Sequence, residues 1–180
     1  MRNVENETFI HLNTCAAYEV GKTYTFGNKT NPFFKFYEEF VPNILMSDKE
    51  LLKEYSMYVR ERIFEDIRLE SFPNAPSRMK CLWLMPNSAE ALNYWRGQLR
   101  NCLNLVTFKC SGVIHCGDSR YLSVQHFKLQ IQKSLAKDYW SEKKLSPQDK
   151  YQEILFAGSA TVLDISPLPQ APNLLEPETL

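Results

Sequence analysis

The pattern of apolar and polar positions predicts strands near both ends of the chain. Residues 8–13 alternate well enough for a strand, and residues 23–26 form a Thr-Tyr-Thr-Phe run of high strand propensity after a glycine turn. Near the other end, residues 151–157 and 161–165 are two apolar runs separated by Gly158. Two such runs joined at a glycine predict a terminal hairpin.

Three segments have helical periodicity. Residues 48–69 follow Ser47, which can form a capping box with Glu50, and their apolar side chains recur every three or four positions. A second capping signature predicts a helix at residues 87–100, and an apolar face along residues 123–140 predicts a third. The charged positions of the first helix are expected to face water, among them Glu54, Arg60, Glu61 and Glu65.

Short apolar runs between the helices predict buried strands. Residues 80–85 are bounded by proline-containing segments, and residues 103–109 form another strand. A serine-glycine break separates that strand from a short continuation at residues 113–115. The aromatic-rich residues 33–40 predict a short helix or an irregular cover over the core.

The order of the elements predicts an α+β domain with largely antiparallel sheets, because hairpin-like connections lie at both ends and helices lie in the middle. With 180 residues, 44% of them hydrophobic, the chain is long enough for one core. We expect a single domain at residues 1–166 and an extended proline-rich tail at residues 167–180.

The charge and cysteine content exclude several classes of protein. Twenty-one basic residues balance twenty-one acidic ones, which gives no support for long-range attraction to nucleic acid or to a membrane surface. Five scattered cysteines, the absence of an 18-residue apolar run and the lack of a signal peptide predict a soluble, cytoplasmic protein without a membrane partner.

Common catalytic motifs are absent from the sequence. There is no G-x-G-x-x-G, no phosphate-binding P-loop, no G-x-S-x-G and no H-E-x-x-H. Cys110, His115 and Cys116 lack a fourth ligand at a recognisable spacing, so no metal is expected. A cysteine nucleophile with His11, His115 or His126 as its base is conceivable, but buried, unreactive cysteine is the favoured interpretation.

Two residues have ambiguous roles in the sequence alone. His11 lies in an apolar strand, so it either completes a hydrogen bond in the core or faces a ligand across a cleft. Glu153 lies on the polar side of a strand, where a glutamate is normally exposed to solvent.

Four segments, taken in their order and spacing, carry a resemblance to a known superfamily. They are F-I-H-L-N-T, P-S-R-M-K-C-L-W-L, D-Y-W and Y-Q-E-I-L-F-A-G. Together they resemble small bacterial and phage-borne proteins, many of unassigned function, in the ADP-ribosyltransferase-like superfamily. The resemblance spans residues 8–165 and implies two small, mostly antiparallel sheets that form a cleft and are flanked by three to four helices.

The resemblance also implies NAD as a substrate and a function for individual residues. A histidine on the first strand contacts the adenosine ribose in that superfamily, which corresponds to His11, with Asn13 or Thr14 beside it. A glutamate on a late strand contacts the nicotinamide ribose, which corresponds to Glu153. A carboxylate there stabilises the positive charge that develops on the ribose as the N-glycosidic bond breaks.

Further residues complete the implied NAD site. Ser77 and Arg78 are candidates to bind the phosphates, and the alternative is that Arg78 caps a loop. Aromatic side chains that sandwich the nicotinamide are expected among Tyr18, Tyr24, Phe34, Tyr139 and Trp140.

The implied reaction is transfer of ADP-ribose to a macromolecule, protein in preference to nucleic acid, or hydrolysis of NAD. The chain lacks Ser-Thr-Ser and Glu-x-Glu motifs, since Tyr151 stands two residues before Glu153. These departures argue against arginine as the acceptor. The alternative is a non-catalytic interaction module on the same fold that binds a partner through the aromatic residues 33–40.

Overall fold

A computed structural model of the protein describes residues 1–14, 16–31, 34, 47–99, 102–123 and 128–168. The described strands are β1 (Arg2–Asn13), β2 (Thr23–Phe26), β3 (Leu82–Leu84), β4 (Asn104–Asp118) and β5 (Gln152–Ser166). The described helices are α1 (Asp48–Ser71), α2 (Ala89–Gln98) and α3 (Leu129–Trp140), with short 3₁₀ turns at Ser119–Leu122 and Asp149–Tyr151. Every strand pairing is antiparallel, so the predicted α+β class is confirmed.

The described strands form a single sheet, whereas two small sheets were expected. β4 lies between β1 and β5, and the other edge of β5 pairs with β3 and then with β2. A 15-residue β5 is long enough to pair with both short strands one after the other along the same edge, which joins all five strands into one sheet.

The predicted terminal hairpin is wrong, because both of its arms belong to β5. The strand continues through Gly158, which pairs with Gly112 of β4, instead of reversing there. Both glycines have positive φ angles, 143° and 159°, and a Cβ on Gly158 would lie 2.5 Å from the Ser111 carbonyl oxygen. The glycine pair therefore permits a close approach of the two backbones, and β4 runs through Gly112 without the predicted break.

The two faces of the sheet have different coverings. The face that carries Phe9, Phe108 and Phe156, here called the inner face, packs its apolar side chains against one another. The opposite face, here called the helix face, carries Leu155 and packs against side chains of α1 and α3. The backbone N–H of Met85, just after β3, donates to the Ile10 carbonyl at 3.0 Å, so the sheet curls until β1 approaches β3.

The first two helices begin and end close to the predicted residues, whereas α3 begins at Leu129 instead of residue 123. Ser47 and Glu50 form the expected capping box at the start of α1. The second helix is capped by Ser88, whose hydroxyl accepts from the Ala91 N–H, and not by the predicted Asn87. Within the described ranges, no helix is long and apolar enough to cross a membrane.

Some predictions fall outside the described residues. The aromatic segment 33–40, apart from the buried Phe34, is among them. The same holds for His126, for residues 124–127 at the expected start of the third helix, and for residues 169–180 of the expected tail.

Candidate functional site

The two residues expected to converge on NAD project from opposite faces of the sheet. His11 shares a side of β1 with Phe9, which belongs to the inner-face core. Glu153 shares a side of β5 with Leu155, which packs on the helices. Ile154 and Phe156, which alternate with these residues, belong to the inner-face core. Because side chains alternate along a strand, His11 and Glu153 do not meet across one cleft.

His11 has a defined hydrogen-bonding state. Its Nδ1 lies 2.8 Å from the Trp83 carbonyl oxygen, which can only accept, so Nδ1 carries the proton and donates. Burial lowers the pKa of His11 to about 4, and the bond to Trp83 only partly opposes this shift. The ring is therefore neutral at physiological pH, and Nε2 is a hydrogen-bond acceptor.

Aromatic rings surround this histidine on the inner face. The rings of His11 and Tyr18 meet edge to face with centroids 5.9 Å apart, and the rings of Tyr18 and Tyr24 do so at 5.2 Å. The ring of Phe108, on β4, contacts the rings of both His11 and Tyr18. His11, Tyr18 and Tyr24 are each half-buried, so this group, here called the His11 cluster, reaches the surface.

Asn13 and Thr14 contribute less to this cluster than the resemblance implies. The Asn13 side-chain amide donates to the Ala16 carbonyl at 2.8 Å and to Asn104 Oδ1 at 3.0 Å, and it accepts from the Ala16 N–H. Asn13 therefore fixes the turn after β1. Thr14 follows the end of the strand and is exposed.

Glu153 belongs to a buried ionic network on the helix face. The side chain is 6% exposed, and its Oε1 accepts hydrogen bonds from Arg78 Nη1 and from the Tyr139 hydroxyl. Arg78 also donates to the Tyr139 hydroxyl at 2.9 Å and, through Nε, to Glu61 Oε2 at 2.7 Å. Glu61, Arg78, Tyr139 and Glu153, here called the Arg78 cluster, tie α1, a loop, α3 and β5 together.

Arg60 balances the charges of the Arg78 cluster. Glu61 accepts from Arg60 as well as from Arg78, so two guanidinium groups face two carboxylates. Burial would raise the pKa of Glu61, but Arg78 and Arg60 outweigh it and hold the pKa below its usual value. Burial raises the pKa of the Tyr139 hydroxyl, which stays protonated and can donate.

Ser77 and Trp140 have structural partners as well. The Ser77 hydroxyl lies 3.0 Å from both carboxylate oxygens of Glu65, which also pairs with Arg68. Trp140 is buried and donates from Nε1 to the Phe64 carbonyl at 2.8 Å. The structure thus brings together Arg78, Tyr139 and Glu153 from the predicted site, but directs their polar groups toward one another.

Glu61 and Glu65 were predicted to lie on the solvent-facing side of α1, and this prediction is wrong. They are 2% and 8% exposed. One signal could have found them, because Glu61, Glu65 and Arg68 recur at helical spacing on one side of α1. A second missed residue is His115, which is fully buried and contacts the rings of Tyr139 and Trp140.

The cysteines have the properties of core residues. Burial raises the pKa of both the Cys81 and the Cys110 thiol to about 12, so neither forms the thiolate that a nucleophile requires. Among the residues that the structure describes, no three His, Cys, Asp or Glu side chains are grouped to hold a metal ion.

Comparison with known proteins identifies the family. A search of curated proteins finds no match. One family model matches residues 9–167, which includes all of β2–β5, the three helices and the C-terminal part of β1. The chain therefore belongs to the family described as "Protein of unknown function (DUF2441)".

Proposed function

We propose that this protein is an NAD-binding, ADP-ribosyltransferase-like protein of the cytoplasm, with the His11 cluster as its nucleotide site. The observation that carries the proposal is the state of His11, which is half-buried, neutral and bonded through Nδ1 to the Trp83 carbonyl. That bond fixes the ring and leaves Nε2 as an acceptor for a ligand hydroxyl.

The chemistry of the cluster suits the ribose end of a nucleotide. Ribose hydroxyl groups can donate hydrogen bonds to an unprotonated imidazole nitrogen. Half-buried tyrosine rings offer apolar surface to the base or the sugar. Lys22 adds positive charge, since its amino group lies 5.9 Å from the centre of the Tyr24 ring, although it also pairs with Glu19. The expected phosphate ligands Ser77 and Arg78 lie instead in the ionic networks at the helix face.

The catalytic form of this proposal is an NAD-dependent ADP-ribosyltransferase, or NAD glycohydrolase, with a macromolecular acceptor that is protein in preference to nucleic acid. It requires a carboxylate beside the nicotinamide ribose. Glu153 is buried, engaged by Arg78 and Tyr139, and on the face opposite His11. The geometry therefore favours NAD binding over a cleavage reaction that depends on Glu153.

A pair of substitutions at His11 tests the binding site. Asparagine can keep the donor near Nδ1 but lacks an atom at the Nε2 position, whereas glutamine can extend an oxygen toward that position. We expect His11→Asn to weaken NAD binding about tenfold, because one hydrogen bond to the ligand is lost, and His11→Gln to retain part of the affinity. Isothermal titration calorimetry measures both, with Thr25→Ala on the exposed side of β2 as the matched control.

Two results of the NAD titration would overturn the proposal. If NAD fails to bind at millimolar concentration, the protein is better described as an interaction module. If His11→Asn and the control bind NAD equally well, the nucleotide site lies elsewhere. The catalytic form of the proposal would be supported if the native protein releases nicotinamide from NAD and a folded Glu153→Gln variant does not.

A further inference from the structure

The first half of α1 carries large apolar side chains that the rest of the domain does not bury. All buried residues of this helix lie after Val59, and residues 48–59 include none. Leu52 and Tyr55 are 58% and 63% exposed, and Val59 is half-buried. Contiguous exposed apolar surface that is bordered by polar residues marks a site of protein–protein interaction.

These side chains lie on one stripe along the helix. Positions 48, 52, 55, 59 and 62 alternate in steps of four and three, and a helix with about 3.6 residues per turn places such positions on one side. Phe64 and Ile67, which belong to the core between the helices and the sheet, lie on the opposite side at this period. The stripe, here called the α1 stripe, consists of Asp48, Leu52, Tyr55, Val59 and Arg62.

The α1 stripe is complementary to itself when two copies of the helix run antiparallel. Asp48 comes seven residues before Tyr55, and Arg62 comes seven residues after it. A two-fold axis beside Tyr55 therefore brings Asp48 of each copy opposite Arg62 of the other. The same axis brings Leu52 of each copy next to Val59 of the other, so apolar residues meet at the centre and opposite charges meet at both ends.

The two charged ends of the stripe are available for this pairing. Asp48 and Arg62 are exposed, and among the described residues neither one has an ion pair. An antiparallel copy gives each of them a partner of opposite charge. A parallel copy in register would instead bring aspartate against aspartate and arginine against arginine, which is unfavourable. The charges thus favour one occupant in one orientation.

We propose that the α1 stripe is a homodimer interface in which α1 packs antiparallel against α1 of a second copy. Burial of Leu52, Tyr55 and Val59 drives the association, and the Asp48–Arg62 pairs fix its register. Two helices that meet over about four turns bury less surface than a standard interface, so we expect a weak dimer with a Kd above about 1 µM. The proposal does not depend on NAD, because the His11 cluster lies on the inner face.

A charge at the apolar centre tests the interface. Sedimentation equilibrium of the full chain should show a monomer–dimer equilibrium for the native protein. Leu52→Glu should raise the Kd of the dimer about tenfold or more, because the pairing would bury two carboxylates. Leu69→Glu is the matched control, since Leu69 is also 58% exposed but lies fourteen residues beyond Tyr55, past the reach of a partner helix that begins at Asp48. The control should dimerise as the native protein does.

A pair of charge reversals tests the orientation. Asp48→Arg places two arginines opposite each other at both ends of the dimer, and Arg62→Asp places two aspartates there. Each variant alone should have a Kd about fivefold higher than the native protein, as expected for exposed ion pairs. An equimolar mixture of the two variants should recover the native Kd, because each end of the mixed dimer again joins an arginine to an aspartate.

Three results would overturn the proposal. A native protein that stays monomeric at about 1 mM would show that a second copy does not occupy the stripe. Equal dimerisation of the native protein and Leu52→Glu would place the interface elsewhere on the molecule. A mixture of Asp48→Arg and Arg62→Asp that associates no better than either variant alone would exclude the antiparallel pairing. Circular dichroism of each variant verifies that the changes in Kd occur in folded protein.

Discussion

The His11 cluster and the Arg78 cluster use polar side chains in opposite ways. In the Arg78 cluster, the guanidinium pairs with two buried carboxylates and the Tyr139 hydroxyl donates within the group, so its strongest contacts are internal. In the His11 cluster, only Nδ1 of the histidine is bonded to the backbone, and the ring is half-buried. Polar groups that satisfy one another hold the fold together, whereas a fixed ring with a spare acceptor is suited to a ligand.

The positions of the clusters explain this difference. Arg78 lies in a loop, and its partners Glu61, Tyr139 and Glu153 come from α1, α3 and β5. The cluster therefore joins segments that are distant in sequence, and it lies where the helices cover the sheet. The His11 cluster lies on the inner face beside β2, where Tyr24 is half-buried and part of its ring is exposed to solvent.

The largest expected effect comes from removing the cation at the centre of the helix face. Arg78→Met leaves the carboxylates of Glu61 and Glu153 buried with fewer partners, which should lower the free energy of unfolding by about 3–5 kcal/mol. Urea denaturation measures this change. Arg2→Met is the matched control, because Arg2 pairs with Glu7 at the exposed surface. A similar, small effect of both substitutions would contradict the assigned role of the Arg78 cluster.

The second prediction separates stability from binding at Glu153. Glu153→Gln removes the charge but keeps the size of the side chain, and it weakens the contacts with Arg78 and Tyr139. We expect a loss of about 1.5–3 kcal/mol in the free energy of unfolding, typical of hydrogen bonds to charged groups. The affinity for NAD should not change, because Glu153 faces away from His11. Reduced NAD affinity in a folded Glu153→Gln variant would contradict this prediction and would indicate that Glu153 belongs to the nucleotide site.

The third prediction uses pH to distinguish the clusters. His11 has a pKa of about 4 when folded against an ordinary value of 6.5, so the unfolded chain takes up the proton first. Its contribution to stability is complete above pH 6.5 and declines as the pH falls toward 4. Glu61 behaves differently, because its pKa is depressed below 4.5 and its contribution is lost only as the pH falls through that lower pKa.

Urea denaturation at a series of pH values tests this third prediction. His11→Gln should show a shallower loss of stability between pH 6.5 and 4 than the native protein. His115, whose pKa is also lowered to about 4, contributes in the same direction and remains in that variant. An unchanged pH profile in His11→Gln would show that His11 is not held in the neutral form by the fold.

The smallest expected effect concerns the Tyr24 hydroxyl, which accepts a hydrogen bond from the exposed Glu19 N–H at 3.1 Å. Tyr24→Phe should cost at most about 0.5 kcal/mol of stability, as surface substitutions usually do. NAD affinity should be retained if the ligand uses the ring of Tyr24, and Tyr24→Ala should lower it. Loss of affinity in Tyr24→Phe would assign the contact to the hydroxyl instead.

Local patterns in the sequence determined the elements of the fold. Periodicity and the Ser47–Glu50 capping box define α1 because these signals act within a few residues of one another. The order of strands and helices likewise favours an antiparallel α+β arrangement, which the structure has. The burial of Cys81 in an apolar run was predictable for the same reason.

Only the tertiary structure decided which polar residues lie together. Glu61 looks like any charged helix residue until the loop that carries Arg78 folds across α1, and the reason for a glycine at 158 becomes visible only in its close approach to Gly112 of the neighbouring strand. His11 and Glu153 lie 142 positions apart in the chain, and their separation onto opposite faces follows from the pairing of β1, β4 and β5. Sequence patterns indicate on which face of its own helix or strand a residue lies. Whether two side chains meet depends on how elements that are distant in sequence pack against each other.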